Sequence, residues 1–286
     1  MKFLRKFNTR KEYENFYLTT TDYPNLCLIN DEKCVEYNII SPMYYPLCVE
    51  AIEDINVSFG NTYEYSKDNN TWTSGNSDTI ISAIAGEKVY FRSIGLSASE
   101  SNGIGKFIIS GGFCNISGNI MSMVYGADFS DNTVMNSYQF SSLFKGSEKI
   151  VNANRLVLPA NNAINSCYQG MFEGCTSLVT APALPATSVG SYGYAGMFKG
   201  CTSLTTSPVL PAKHISSGCY QYMFDGCTSL NYIKAMFLDI GQMSPTLCWL
   251  RGVSSTGTFV KNSNATWDKT GSDGVPNGWT VVLEDD

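Results

Sequence analysis

An eight-residue pattern, Met171-Phe172-Glu173-Gly174-Cys175-Thr176-Ser177-Leu178, returns at Met197–Leu204 and again at Met223–Leu230, each time 26 residues further on. Leu-Pro-Ala keeps the same register at Leu158, Leu184 and Leu210, and so does tyrosine at Tyr168, Tyr194 and Tyr220. One copy cannot bury its apolar side alone, so the copies must stack and fold as an array. Two degenerate copies flank the clean ones. Leu143-Phe144-Lys145-Gly146-Ser147-Glu148-Lys149-Ile150 lies 28 residues before the next copy, and Trp249-Leu250-Arg251-Gly252-Val253 lies 26 after Met223. Imperfect terminal copies suit a stack whose ends must be covered, and about four to five coils are expected.

Within one copy, Cys219, Tyr220, Met223, Phe224 and Cys227 stand at i, i+1, i+4, i+5 and i+8. That spacing predicts the buried stripe of a helical turn. Gly226, like Gly174 and Gly200, follows where a left-handed C-terminal cap would sit. Leu178-Val179-Thr180-Ala181 predicts a short extended segment that Pro182 ends, because proline has no N–H to give a neighbouring coil. Leu184 and Leu210 supply further inward positions. The expected fold class is mainly β with short helical turns, an α/β solenoid, and its unit length falls in the leucine-rich-repeat range. At about 4.8 Å per coil such a stack makes a wedge roughly 20–25 Å long.

The MFxGCTSLxxxPxLPA pattern, with CYxxMF ahead of it, resembles the BspA-like leucine-rich repeats of Bacteroides-type gut bacteria and their phages. The segment Gly252–Lys261, followed by Trp267 and Gly278-Trp279-Thr280-Val281, is similar to the closing module of such arrays. The resemblance spans roughly residues 103–282. It implies display and adhesion, and no catalysis.

The N-terminal half reads differently. Tyr63-Glu64-Tyr65-Ser66 and Trp72-Thr73 flank the polar loop Lys67-Asp68-Asn69-Asn70, a hairpin signal. Ile80-Ile81 and Val89-Tyr90-Phe91 add strand-like runs, with Gly86-Glu87-Lys88 as a turn between them. About forty residues is at the lower limit for an independent core, so this unit is expected to pack on its neighbours. Gly111-Gly112, Gly118 and Gly126 punctuate an irregular lead-in coil over residues 107–129. Further upstream, Arg10–Phe16 predicts a short amphipathic helix. Leu26-Cys27-Leu28-Ile29 and Cys34-Val35-Glu36-Tyr37 predict a hairpin around Asn30-Asp31-Glu32-Lys33. With the turn centred on Asp31-Glu32, Cys27 faces Glu36 and Cys34 faces Ile29, so these cysteines are not partners. The YPNxxLIxD…VxYN arrangement of this segment resembles the N-terminal ends of crAss-like gut-phage virion proteins such as head or tail fibres, and implies docking onto a particle. The division expected is an attachment segment over 1–50, a small β domain over 51–100, the solenoid with its lead-in over 101–256, and a capping module over 257–286.

Charged residues make up only 15% of the chain and the formal charge is −6. This balance argues against nucleic acid and against an anionic membrane surface as partners. His214 is the single histidine, so neither a Ser-His-Asp triad nor a His-rich zinc site is easy to build. His214 itself reads as a solvated loop residue. The chain holds 10 cysteines and no CxxC. Cys175, Cys201 and Cys227 recur once per coil and read as a packed, reduced ladder. Asp128, Asp131 and Asn132 read as a turn cap, because one loop supplies too few ligands for calcium. Asp268, Asp273 and the tail Glu284-Asp285-Asp286 share that limitation. Gly103-Ile104-Gly105 lacks the full dinucleotide fingerprint. No catalytic, cofactor or metal residue is therefore nominated.

Positions that differ between matching coils mark the exposed surface. Glu173, Lys199 and Asp225 fill one such slot; Val179-Thr180, Thr205-Thr206 and Asn231-Tyr232 fill another. Tyr192, Tyr194, Tyr220, Tyr222 and Tyr232 offer aromatic faces, about half of them as core residues with a solvated hydroxyl. No run of about twenty apolar residues is present, and Met1–Lys11 meets polar residues where a secretory leader is apolar. The functional expectation is a non-enzymatic structural and adhesion component of a phage particle, docked through its N-terminal segment, oligomeric, and facing a host glycan or protein. A bacterial cell-surface adhesin is the alternative. A glycan-binding or glycan-degrading module is the third reading, and the ligand-binding residues stay unknown.

Overall fold

The computed structural model describes residues 45–94, 103–130, 132–241 and 243–285, with the backbone of two strands further upstream. The helix expected over Arg10–Phe16, most of the 1–50 attachment segment, Asp131 and Asp286 lie outside the described residues. The two upstream strands, β1 (Cys27–Asn30) and β2 (Lys33–Glu36), pair antiparallel with Cys27 opposite Glu36 and Ile29 opposite Cys34. This is the register that a turn on Asp31-Glu32 imposes.

A sandwich follows. One sheet has the order β11-β10-β3-β8-β5-β6, and the other has the order β7-β4-β9. Its strands are β3 (Leu47–Ala51), β4 (Ile55–Phe59), β5 (Tyr63–Ser66), β6 (Thr73–Gly75), β7 (Ile81–Ala83), β8 (Lys88–Arg92), β9 (Phe107–Gly111), β10 (Cys114–Asn119) and β11 (Ile150–Val157). Alternation builds the core. Ile55, Val57 and Phe59 are buried while Asn56 is exposed, and Val89 and Phe91 are buried between more open neighbours. Period-2 burial of this kind follows from the pleat. Phe91 of one sheet meets Phe107 of the other edge-on, with ring centroids 5.0 Å apart. The hairpin read around Lys67–Asn70 is β5–β6, with Tyr65 opposite Thr73. The turn at Gly86 carries the chain from one sheet to the other, since β7 and β8 do not pair with each other.

Sandwich and repeats share one sheet. β10 pairs antiparallel with β3 on one side and parallel with β11 on the other. Residues 107–119, which read as lead-in coil, thus supply two strands to the sandwich. The phenylalanine column crosses the junction as well. Phe107 stacks on Phe144 at 5.3 Å, and the column continues through Phe172, Phe198 and Phe224 at spacings of 5.3–5.6 Å. A second column runs Phe140, Tyr168, Tyr194, Tyr220 at 5.6–6.1 Å.

The repeats form a β-solenoid of about 5 turns. One side of the stack carries β11, short bridges at Thr180 and Thr206, then β15 (Tyr232–Ala235), β16 (Thr258–Asn262) and β17 (Thr280–Glu284). Thr180 bridges to β11, Thr206 bridges to β15, and β15, β16 and β17 pair in turn, all parallel. The extended segment expected at Leu178–Ala181 lies there: Ala153 donates its N–H to Thr180 at 2.9 Å, and Val179 donates to Val151 at 2.8 Å. A second side is the parallel sheet of β12 (Asn162–Ala163), β13 (Ser188–Val189) and β14 (His214–Ile215).

On the third side the helical turn expected at Cys219–Cys227 is corrected. The stripe is buried as read, with Cys219, Tyr220, Met223, Phe224 and Cys227 at 0% exposure, yet the segment is not helical. Helix is 4% of the structure, and among the described residues the α-helical piece is the single turn α1 (Ser122–Tyr125). In the ribbon of turns, alternate N–H groups leave their own coil. Tyr168, Gly170, Phe172 and Gly174 donate to Gly193, Ala195, Met197 and Lys199 of the next coil at 2.7–3.0 Å. The residues between them close turns on their own coil, as Met171 does to Tyr168 and Cys175 to Phe172. A left-handed residue recurs at every fourth position: Ser166 (φ 53°), Gly170 (61°) and Gly174 (75°), then Tyr192, Gly196 and Gly200. A period of 4 and a period of 3.6 bury nearly the same residues over two turns, so the stripe alone cannot separate them. The slot of Gly146, Gly174, Gly200, Gly226 and Gly252 is always glycine. Each sits at φ 72–76°, and a Cβ on Gly200 would stand 3.8 Å from the Gly174 Cα below it.

Both ends of the ribbon are covered. Ile104 and Phe107 donate their N–H groups to Gln139 and Leu143 of the first coil at 3.0 and 2.8 Å. At the far end Leu250 donates to Ser272, and the Asp273 carboxylate accepts the Cys248 N–H at 2.7 Å. Trp249, Trp267 and Trp279 each donate an indole N–H to a backbone carbonyl, of Gly274, Phe237 and Ser254 respectively. Large apolar bodies thus close the core with no indole left unbonded.

Candidate functional site

The parallel strands bring one polar residue per coil into a row. Asn152 lies opposite Thr180; further along, Thr206, Tyr232, Thr258 and Thr280 lie opposite one another in turn. Their neighbours along the chain, Ile233 and Phe259, are buried, so the row faces outward. Thr206 and Thr280 are exposed and the others partly so. Val179 and Val209 add exposed apolar patches, each at 47%. At the strand spacing of about 4.8 Å this is a row of hydroxyls with one amide, and the Lys234–Glu284 ion pair lies beside it on the same face. Such a strip can engage a ligand through many weak hydrogen bonds. The slot of Thr180, Thr206 and Tyr232 was legible as variable surface. One more step of 26 residues from Tyr232 reaches Thr258, a signal that the sequence reading did not use.

The other variable slot has a structural role. Lys145, Glu173, Lys199, Asp225 and Arg251 occupy equivalent places in successive coils and alternate in sign. Lys145 lies 2.8 Å from Glu173, and Lys199 lies 4.0 Å from it. Arg251 grips Asp225 bidentately, at 2.8 Å from Nε and 2.7 Å from the terminal nitrogen. Hydrogen bonding to Asp225, and then its charge, raise the Arg251 pKa above its ordinary value. Tyr222 lies between Lys199 and Arg251, whose cationic groups sit 5.7 and 5.8 Å from its ring centre. Glu173, Lys199 and Asp225 therefore join coil to coil.

The thiols form the ladder expected. Cys175, Cys201 and Cys227 are free and buried, and each donates its S–H to the phenylalanine carbonyl one coil back, at 3.0–3.2 Å. Burial pushes the Cys175 and Cys227 thiols up to about 12 and raises Cys201 well above its usual value. The tyrosines divide. Tyr194 and Tyr220 are core and Tyr192 is 42% exposed. The solvated hydroxyl expected of core tyrosines is corrected, because the Tyr168, Tyr194 and Tyr220 hydroxyls are buried and meet no protein partner. The stacked rings are too far apart for one hydroxyl to reach the next.

His214 belongs to β14 rather than a loop; its side chain is 81% exposed, with Nδ1 3.8 Å from Asp239. Asn132 closes its turn by donating to the Asp128 carbonyl at 2.6 Å. Asp273 is the ribbon cap; burial works against ionisation, but the Cys248 amide and Lys269 still hold its carboxyl below the ordinary value. Ile104, within Gly103-Ile104-Gly105, is buried over the first coil. Among the described residues no group of three His, Cys, Asp or Glu side chains converges as a metal site. Among them, too, no helix is long and apolar enough to cross a membrane. No family model, curated protein or solved structure matches the chain.

Proposed function

We propose that the chain is a non-enzymatic structural and adhesion component of a bacteriophage particle, a head fibre, tail fibre or capsid decoration. It presents its repeat surface to a glycan or protein of the host cell. The observation that carries the reading is the outward strip from Thr180 to Thr280 on a scaffold whose core runs unbroken from Phe91 to Trp249. A row of polar side chains held in strand register suits recognition by many weak contacts, and many copies on one particle turn weak contacts into avidity. The resemblance of the repeats to BspA-like leucine-rich arrays and of the N-terminal segment to gut-phage fibres supports the same role. Mass spectrometry of purified particles from the phage that encodes the chain tests it. Peptides of the chain at stoichiometric level are expected. Their absence from particles, with recovery from the host cell envelope, overturns the proposal in favour of a cell-surface adhesin.

A further inference from the structure

The last strand of the stack differs from every strand before it. β17 pairs with β16 on one side only, and all five of its residues are exposed. Val281, Val282 and Leu283 are 46, 42 and 61% exposed, whereas Phe259 and Val260 on β16 are 0 and 4%. Val281 lies opposite the core residue Phe259, and Leu283 opposite Lys261. Val281 and Leu283 therefore continue the core-facing side of the sheet, and among the described residues none covers them. Solitary edges are usually blunted by lysine, proline or a bulge. Thr280-Val281-Val282-Leu283-Glu284 has no lysine or proline, and its pairing with β16 runs without a register shift.

The backbone selects the partner. Thr280 donates to Gly257 at 2.9 Å and Glu284 accepts from Ser263 at 3.0 Å, so residues 280 and 284 turn their polar groups toward β16. Alternation along a parallel ladder turns those of Val281 and Leu283 toward the open side. We propose that β17 is a self-association edge, pairing antiparallel with β17 of a second copy about a two-fold axis through Val282. This register sets Val281 opposite the partner's Leu283, and the open backbone groups of the two residues satisfy each other. It also gathers the four uncovered apolar side chains on one face, which is the pairing that stabilises a sheet. Charge favours the same arrangement. Glu284, already held 2.6 Å from Lys234, faces the partner's Thr280, whereas parallel in-register association stacks Glu284 on its own copy. The contact is isologous and closes as a dimer.

The proposal takes the expected self-association to a specific surface and does not rest on the particle reading. Sedimentation of the full chain over a concentration series tests it, with the mass expected to rise from 31.3 kDa toward twice that value. Leu283→Pro removes an N–H that faces away from β16, a place where an edge strand tolerates proline. It is expected to leave the chain folded and monomeric at every concentration. Leu283→Lys serves as the second variant should proline unfold the strand, with the same expected loss of dimer. Hydrogen exchange at the Val281 and Leu283 amides is expected to slow as concentration rises. A wild-type chain that stays monomeric overturns the proposal. A dimer that survives both substitutions overturns it too, and places self-association on another surface. Particles that contain a chain monomeric in solution overturn this proposal and leave the functional reading standing.

Discussion

The sandwich and the solenoid bury aromatic cores of similar kind, but their contacts are made differently. In the sandwich each pairing occurs once: Cys114 meets Ala51, and Phe59 meets Phe107. In the solenoid one device recurs every coil, a ring on a ring, a thiol on a phenylalanine carbonyl, a cation beside a carboxylate. A unique contact specifies its register once, whereas a repeated contact is specified by the period. That difference sets what a substitution does. In the array, loss at one coil is felt by its two neighbours; at the junction, loss is felt by both architectures.

Phe107 stands at that junction, so Phe107→Ala is expected to have the largest effect. It should cost about 3–5 kcal/mol as a buried aromatic truncation, in a single chemical denaturation transition. Two separated transitions would show that the halves are independent and break the comparison. Gly200→Ala comes next. At φ 74° a side chain costs about 1–2 kcal/mol. Gly60→Ala in the sandwich, where the added Cβ meets Lys106 at an ordinary 3.6 Å, is expected to stay within about 0.5 kcal/mol. Equal costs at the two sites would remove the ribbon's special claim on glycine.

Arg251→Met is expected to lower stability, by less as salt is added, because it leaves the buried Asp225 carboxylate without its exposed partner. Lys67→Met, which loses the exposed Lys67–Glu87 pair at 2.9 Å, is expected to leave the denaturation midpoint nearly unchanged. The last effect is confined to alkaline pH. Cys175 and Cys227 have folded pKa values raised to about 12 by burial, above the unfolded value of about 8.5. Their contribution is complete below about pH 8.5 and is lost as pH rises toward 12. Stability measured by denaturation should therefore decline on the alkaline side. Half-exposed Cys248 should alkylate before the buried thiols in the native chain.

The 26-residue period made the stacking, the buried stripe and the thiol ladder legible, because identical residues at a fixed interval must occupy identical places. The β5–β6 hairpin was legible from its polar loop, and the pairing of β1 and β2 from a turn on Asp31-Glu32. The ribbon was not legible as such. Tyr192 and Tyr222 occupy left-handed positions that local propensity assigns to glycine or asparagine, and a spacing of four mimics a helix. β3 was hidden because Leu47–Ala51 is a short, mostly apolar run whose partners lie about 40–70 residues away, at β8 and β10. Of the candidate site, Thr180, Thr206 and Tyr232 were visible as variable positions. Thr258 stood one further 26-residue step along, whereas Asn152 and Thr280 joined them only through strand register. Glu173, Lys199 and Asp225 varied for a reason that sequence variation alone does not reveal, since alternating sign along the stack is attraction between coils.

The central claim is that the repeats join coil to coil through alternate N–H groups of the turn ribbon, in place of a helix closed on itself. Scalar coupling across hydrogen bonds, measured by NMR on the deuterated chain, reads this directly at Phe198. Its amide nitrogen is expected to couple to the carbonyl carbon of Met223 on the next coil, which it reaches at 2.9 Å. Coupling to the Tyr194 carbonyl, four residues back, would contradict the account and restore the helix.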